Sequence, residues 1–192
     1  MRKIGVVLVL VLCLFGASPF SGPARAGQPV APAGQVFGNA KTAAAQQNKL
    51  IFLIFGASWC GPCHRLDAFL AAPETLPIVQ KYFVVAKLNV DEKKGEHPEL
   101  ESPGAQELRA KLGGEGAGVP FVVFVDATGE PLVNSIRLVN GHAKGNVGYP
   151  AEPEEIQWFM AMLKTAVPSI TDGESHAIEE WLEKAQRSHP VG

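Results

Sequence analysis

Three cysteines in 192 residues are too few to staple a small disulfide-dense fold. Charge is also scarce, 19% of the chain, and neither sign dominates: 17 Lys and Arg stand against 19 Asp and Glu. Without a basic excess the sequence has no electrostatic footprint for nucleic acid. Internal repeats and heptads are missing, which excludes solenoids and coiled coils. Beyond its first 15 residues the chain has no apolar run long enough to span a bilayer. What it does have is 46% hydrophobic residues, enough for one ordinary core and too many for a disordered chain.

The N-terminus reads as an export signal. Arg2 and Lys3 precede an apolar run from Ile4 to Phe15, and Ala24-Arg25-Ala26 supplies an A-x-A cleavage pattern before Gly27. The run stops short of the ~20 residues of a spanning helix, so residues 1–26 are predicted to be a cleaved signal peptide; an uncleaved membrane anchor is the alternative. Cleavage removes Arg2, Lys3 and Arg25 and no acid, shifting the formal charge from −2 to −5. It also removes Cys13, leaving Cys60 and Cys63 in a periplasmic or secreted protein.

Residues 27–37, rich in Gly, Pro and Ala, predict an extended lead-in. Asn39 is placed to cap a helix from Lys41 to Asn48. Leu50–Phe55 is a continuous apolar run ending at Gly56, the pattern of a strand buried on both faces. Helical stretches are expected at 65–70, 75–81 and 105–112, and strands at 83–90 and 121–125. A return strand follows at 132–138. The breakers Gly141, Gly145, Gly148 and Pro150 predict a long loop over 139–152. A helix over 154–167 presents Ile156, Phe159, Met160, Leu163 and Val167. Thr171 with Glu174 is a capping-box pattern for a last helix carrying Ile178, Trp181, Leu182 and Ala185. The alternation of strands and helices predicts an α/β layer structure with a mixed central sheet.

Trp59-Cys60-Gly61-Pro62-Cys63-His64 stands between a buried strand and a helix. A spacing of three residues on a helix brings two sulfurs within bonding distance. Pro62 suits the first turn, where its missing N–H is not needed. Cys60 at the helix start meets unpaired N–H groups and the positive dipole end, which favour its thiolate. Cys60 is the expected nucleophile, and Cys63, further in and less exposed, the resolving thiol. A c-type haem attachment would use the same Cys-x-x-Cys-His, with His64 as one axial ligand and Met160 or Met162 as the other. Its context of buried strands argues against it. A structural zinc site lacks a second cysteine pair, and a purely structural disulfide would close too small a loop to stabilise much.

The motif resembles the active site of the thioredoxin family. Val85-Ala86-Lys87-Leu88-Asn89-Val90-Asp91 is similar to that family's central strand, and Gly118-Val119-Pro120-Phe121 to its cis-proline loop. The resemblance spans roughly residues 38–165. It implies a thioredoxin fold over a 38–167 domain, with 168–192 as a helical extension. It also implies dithiol–disulfide exchange needing no cofactor beyond a Cys60–Cys63 disulfide. By the same resemblance Trp59, Gly61, Pro62 and Lys87 support the active site. Val119, before a cis bond to Pro120, would pair with extended substrate and help keep metals off the dithiol. The expected partners are protein disulfide or dithiol clients and a membrane electron donor, with no nucleic acid and a monomeric state. The Gly-Pro dipeptide resembles the reducing members of the family, so a protein-disulfide reductase is expected. An isomerase or oxidase, a haem electron carrier and a redox-inert binding module are the alternatives. One departure stands out: Ile54 occupies the position of a buried family carboxylate whose usual partner is Lys87. His64 and Asp67 are the candidate substitutes, against a solvated role for both.

Overall fold

The computed structural model describes residues 30–92 and 97–188. The signal-peptide reading of residues 1–26 lies outside the described residues. Four strands form the main sheet: β1 (Leu50–Gly56), β2 (Phe83–Asn89), β3 (Phe121–Val125) and β4 (Pro131–Asn134), in the order β2-β1-β3-β4. β1 runs parallel to β2 and antiparallel to β3, which in turn pairs antiparallel with β4. This is the expected mixed sheet.

β1 is apolar throughout because both of its faces are covered. Ile51, Leu53 and Phe55 point to one side, packing with Ala33, Ala40 and Ala44 of α1 (Ala33–Gln47) and Ala105 of α4 (Ala105–Arg109). Phe52 and Ile54 point to the other. There they meet Leu66 and Phe69 of α2 (Gly61–Ala71), Val79 of α3 (Leu76–Tyr82) and Phe159 and Met162 of α5 (Pro153–Ala166). Phe52 contacts Phe83 and Phe124 edge-on at 5.7 and 4.8 Å between ring centres. Each buried ring contributes about 1.5–3 kcal/mol of transfer free energy.

Several expectations are corrected here. The extended lead-in of 27–37 and the helix start at Lys41 give way to a helix beginning at Ala33, with Asn39 in its interior. Its small residues are not a linker. Ala33, Ala40 and Ala44 recur on one face and let the helix lie close to the sheet, while the Ala33 N–H donates to Pro103 O at 2.8 Å. The return strand of 132–138 is broken at Ser135, whose N–H donates to Val122 O at 2.8 Å. The long loop of 139–152 is in large part a hairpin, β5 (Ile136–Val139) with β6 (His142–Asn146). Asn140 and Gly141, at φ 51° and 77°, form its turn, the Asn-Gly arrangement that matches strand twist. On α5 the buried methionine is Met162, not the expected Met160, which is half-buried.

α6 (Asp172–Ser188) follows the Thr171–Glu174 capping pattern: the Glu174 N–H donates to Thr171 Oγ1 and the Thr171 N–H donates to Glu174 Oε2. Ile178 and Leu182 of α6 join the Phe52–Phe159 cluster, so this last helix completes that layer. Among the described residues no helix is long and apolar enough to cross a membrane.

Candidate functional site

β1 delivers the chain to Gly56, and Ala57-Ser58-Trp59 turns it into α2. The Cys60 N–H donates to Ala57 O at 3.1 Å, closing that turn. Cys60 is extended (φ −85°, ψ 108°) and caps α2, with Pro62 in the first helical turn. Cys60 and Cys63 form a disulfide with Cα atoms 5.2 Å apart. The Cys63 N–H donates to Cys60 Sγ at 3.2 Å. In the reduced state that bond and the helix dipole would stabilise a Cys60 thiolate. A side chain at Gly56 would meet Cys63 Sγ at 3.3 Å, so the glycine lets the second sulfur lie against the strand end.

The Val119–Pro120 bond is cis. It brings Val119 O to 3.4 Å from Cys60 Sγ and packs Val119 on Ala57 and both cysteines. This cover corrects the expected exposure order: Cys60 is 2% exposed and Cys63 8%. Position in the helix does not separate them, because Val119 shields the first sulfur from across the site. Trp59 is turned outward, 46% exposed, and its indole N–H donates to Asp91 O at 3.1 Å. Gly61 is exposed and Pro62 half-buried.

Ile54 lies opposite Lys87 in the β1–β2 register. The Lys87 ammonium pairs with Asp67 on α2. Ile54, Cys63, His64, Asp67 and Lys87 line one cavity of about 120 Å³, room for water beside the second sulfur. The two candidate substitutes, His64 and Asp67, therefore do share a space with Cys63, although both are exposed. His64 Nε2 lies 2.9 Å from Ser58 O. Of the two methionines considered as haem ligands, Met162 is buried beside Phe159 in the core and Met160 is half-buried on α5, while the two cysteine sulfurs are bonded to each other.

Sequence reasoning missed a polar network that braces both sides of the site. Glu92 is fully buried, and its carboxylate accepts from the Ser58 N–H and hydroxyl, both at 2.7 Å. Arg109, 7% exposed, pairs with Asp91 at 3.0 Å and donates to Ala117 O at 3.1 Å. Asp91 thus links the Trp59 turn to the segment leading into Val119. On the far side, the Asn146 amide donates to Gly118 O and Pro120 O at 2.9 and 2.8 Å. Both acids lie in the charged run Asp91-Glu-Lys-Lys that follows β2. No local pattern marks an acid that folds inward.

Residues 35–127 match a protein family described as thioredoxin-like. No curated protein matches the sequence. Among solved structures, a disulphide isomerase from Xylella fastidiosa Temecula1 is 20% identical, covering 85% of this chain and 98% of its own, with a TM-score of 0.49. A disulphide-isomerase (so described as putative) from Bacteroides thetaiotaomicron is 24% identical over 76% of this chain and 100% of its own, TM-score 0.43. A thioredoxin from Thermus thermophilus is 18% identical over 74% and 95%, TM-score 0.42.

Proposed function

Because the chain is thioredoxin-like over residues 35–127 and holds a Cys60–Cys63 disulfide at a helix start, we propose that it is an exported protein-disulfide reductase. The observation that carries this reading is the Cys63 N–H on Cys60 Sγ, with Val119 O facing the same sulfur. In the reduced protein the Cys60 thiolate attacks one sulfur of a client disulfide. A Cys60–client bond forms, the client bond breaks, and the departing client thiolate takes a proton. Cys63 then loses its proton and attacks Cys60 Sγ, releasing the second client thiol and restoring the Cys60–Cys63 bond. Two electrons stay on the reduced client, and a dithiol donor at the membrane, itself oxidised to a disulfide, supplies two more that reduce the Cys60–Cys63 bond again.

Val119 and Pro120 supply the main chain against which an extended client can lie, as in strand addition. Trp59 offers an exposed ring beside them. The Gly61-Pro62 dipeptide favours the reducing direction, and the N-terminal signal pattern favours export to the periplasm. Isomerase and oxidase activities use the same steps in other directions.

Cys60→Ser should abolish turnover, and Cys63→Ser should accumulate client mixed disulfides on gels without reductant. If Cys63 is alkylated before Cys60 in the reduced protein, the two roles are reversed. Equilibration with glutathione sets the direction: a potential near the thioredoxin value of about −270 mV supports a reductase, and one near the oxidising end an oxidase.

A further inference from the structure

α6 does more than complete the core. Between it, α2 and the Gly148–Pro150 corner lies a cleft of about 320 Å³, lined by Arg65, Ala68, Glu74, Tyr149, Trp181 and Lys184. That volume sits at the small end of ligand sites and suits one large side chain rather than a cofactor. Its floor is aromatic. Trp181 is half-buried and stacks edge-on against Phe69 at 5.4 Å between ring centres, and Tyr149 is 7% exposed. Its rim is charged. The Arg65 guanidinium lies 5.3 Å from the Tyr149 ring centre, and Lys184 stands exposed on α6, with Glu74 the single acid.

The cleft and the disulfide site border the same two segments, α2 and the Gly148–Tyr149 corner. Arg65 is two residues beyond Cys63 on the same helix. Gly148, immediately before Tyr149, is pressed so closely on Pro120 that a Cβ there would overlap the Pro120 carbonyl oxygen. Tyr149 is thus next in the chain to the residue that abuts Pro120, and a client strand paired at Val119 would have the Gly148–Tyr149 corner on its path to the cleft.

Resting on the reductase reading, we infer that the cleft is a client subsite: it takes an aromatic side chain near the client's reacting cysteine, accompanied by a carboxylate that meets Arg65 and Lys184. The aromatic floor selects the ring, since edge-to-face packing adds to simple burial. The two cations outnumber the one acid and select against a basic neighbour. α6 thereby links client choice to an element outside the 35–127 match.

The test uses short peptides in mixed disulfide with glutathione, bearing Phe-Glu, Ser-Glu, Phe-Lys or Ser-Ser beside the cysteine. For each protein variant, the kcat/KM on each peptide is divided by its rate on the small disulfide DTNB. The wild type should prefer Phe-Glu over Ser-Glu by about tenfold, the gain from burying most of one ring. It should prefer Phe-Glu over Phe-Lys by about two- to fivefold, a margin that shrinks in high salt. Ala68→Trp fills the cleft from the exposed face of α2 and should erase the aromatic preference. Arg65→Glu with Lys184→Glu should reverse the charge preference. Equal ratios for all four peptides in the wild type, or preferences that survive both variants, would overturn the subsite. A second readout does not depend on exchange: a Phe-Glu peptide with Ser for Cys, titrated into oxidised protein, should shift the NMR signals of Trp181 and Tyr149. No shift there counts against the subsite even if exchange is fast. Shifts without any DTNB reaction would retain the cleft and discard the reductase.

Discussion

Ile54 is 3% exposed and sits against the cavity shared by Cys63, Asp67 and Lys87. A carboxylate there would be placed to take the Cys63 proton, yet it would also be a charge in an apolar site whose nearest cation is already paired with Asp67. Ile54→Asp is therefore expected to lower stability by about 2–4 kcal/mol and to accelerate resolution of the Cys60 mixed disulfide near neutral pH. Ile54→Asn is the comparison, since it adds polarity without a titrating group. Stopped-flow release of a client thiol reads the step. Equal acceleration by both variants would mean that proton transfer does not limit it, and no acceleration would point to water or His64. Asn146 makes a second residue-scale case. Its amide holds the carbonyls of Gly118 and Pro120, and its oxygen accepts from Ser135 Oγ at 2.6 Å. Asn146→Ala should cost about 1–2 kcal/mol in urea unfolding and slow reaction with clients, because the Val119 segment loses its brace. An unchanged midpoint would show those bonds to be replaced by water.

The same contacts set what the β5–β6 hairpin tolerates. Deleting Gly141–Val147 as a free loop would remove Asn146 and the buried Val147 with it, and so should damage the site. Trimming only the exposed tip, where Leu138 is 50% exposed, should leave the fold intact. α6 offers a pH test of its docking. Lys81, on α3, donates to Glu174 at 2.6 Å, and Tyr82 donates to its other oxygen at 2.7 Å. The bond from Lys81 first, then the Thr171 N–H and Tyr82, hold the Glu174 carboxyl down at about 2 from its ordinary 4.5. A depressed carboxylate pKa contributes stability that is fully present above the unfolded value and lost as pH falls through the folded one. Glu174→Gln should therefore melt below the wild type at pH 6, with the gap closing between about pH 4.5 and 2. A gap independent of pH would assign the effect to lost hydrogen bonds alone.

At the scale of the molecule, the boundary at residue 167 does not divide the core. Ile178 and Leu182, each 1% exposed, lie in the cluster that holds Phe52, Phe124 and Phe159. Unfolding followed by far-UV circular dichroism and by tryptophan fluorescence should give one coincident transition. Ile178→Ala should lower its midpoint by the equivalent of about 2–4 kcal/mol, within the range for emptying a buried aliphatic site. Two separate transitions would make residues 168–192 an independently melting appendage.

The sequence by itself determined what local patterns encode. The unbroken run Leu50–Phe55 marked a strand covered on both faces, the Cys60–Cys63 spacing marked a helix start with two adjoining sulfurs, and Thr171 with Glu174 marked the last helix. Each of these is a short-range signal, set by the period of an element or by the geometry of a cap. Tertiary structure alone decided the rest. Whether Glu92 faces water or Ser58, and whether Cys60 is open or covered by Val119, depend on partners distant in sequence. Such contacts carry no local signature, because a charged run or a thiol looks the same along the chain whether its partner is solvent or a segment folded back from 30 or more residues away.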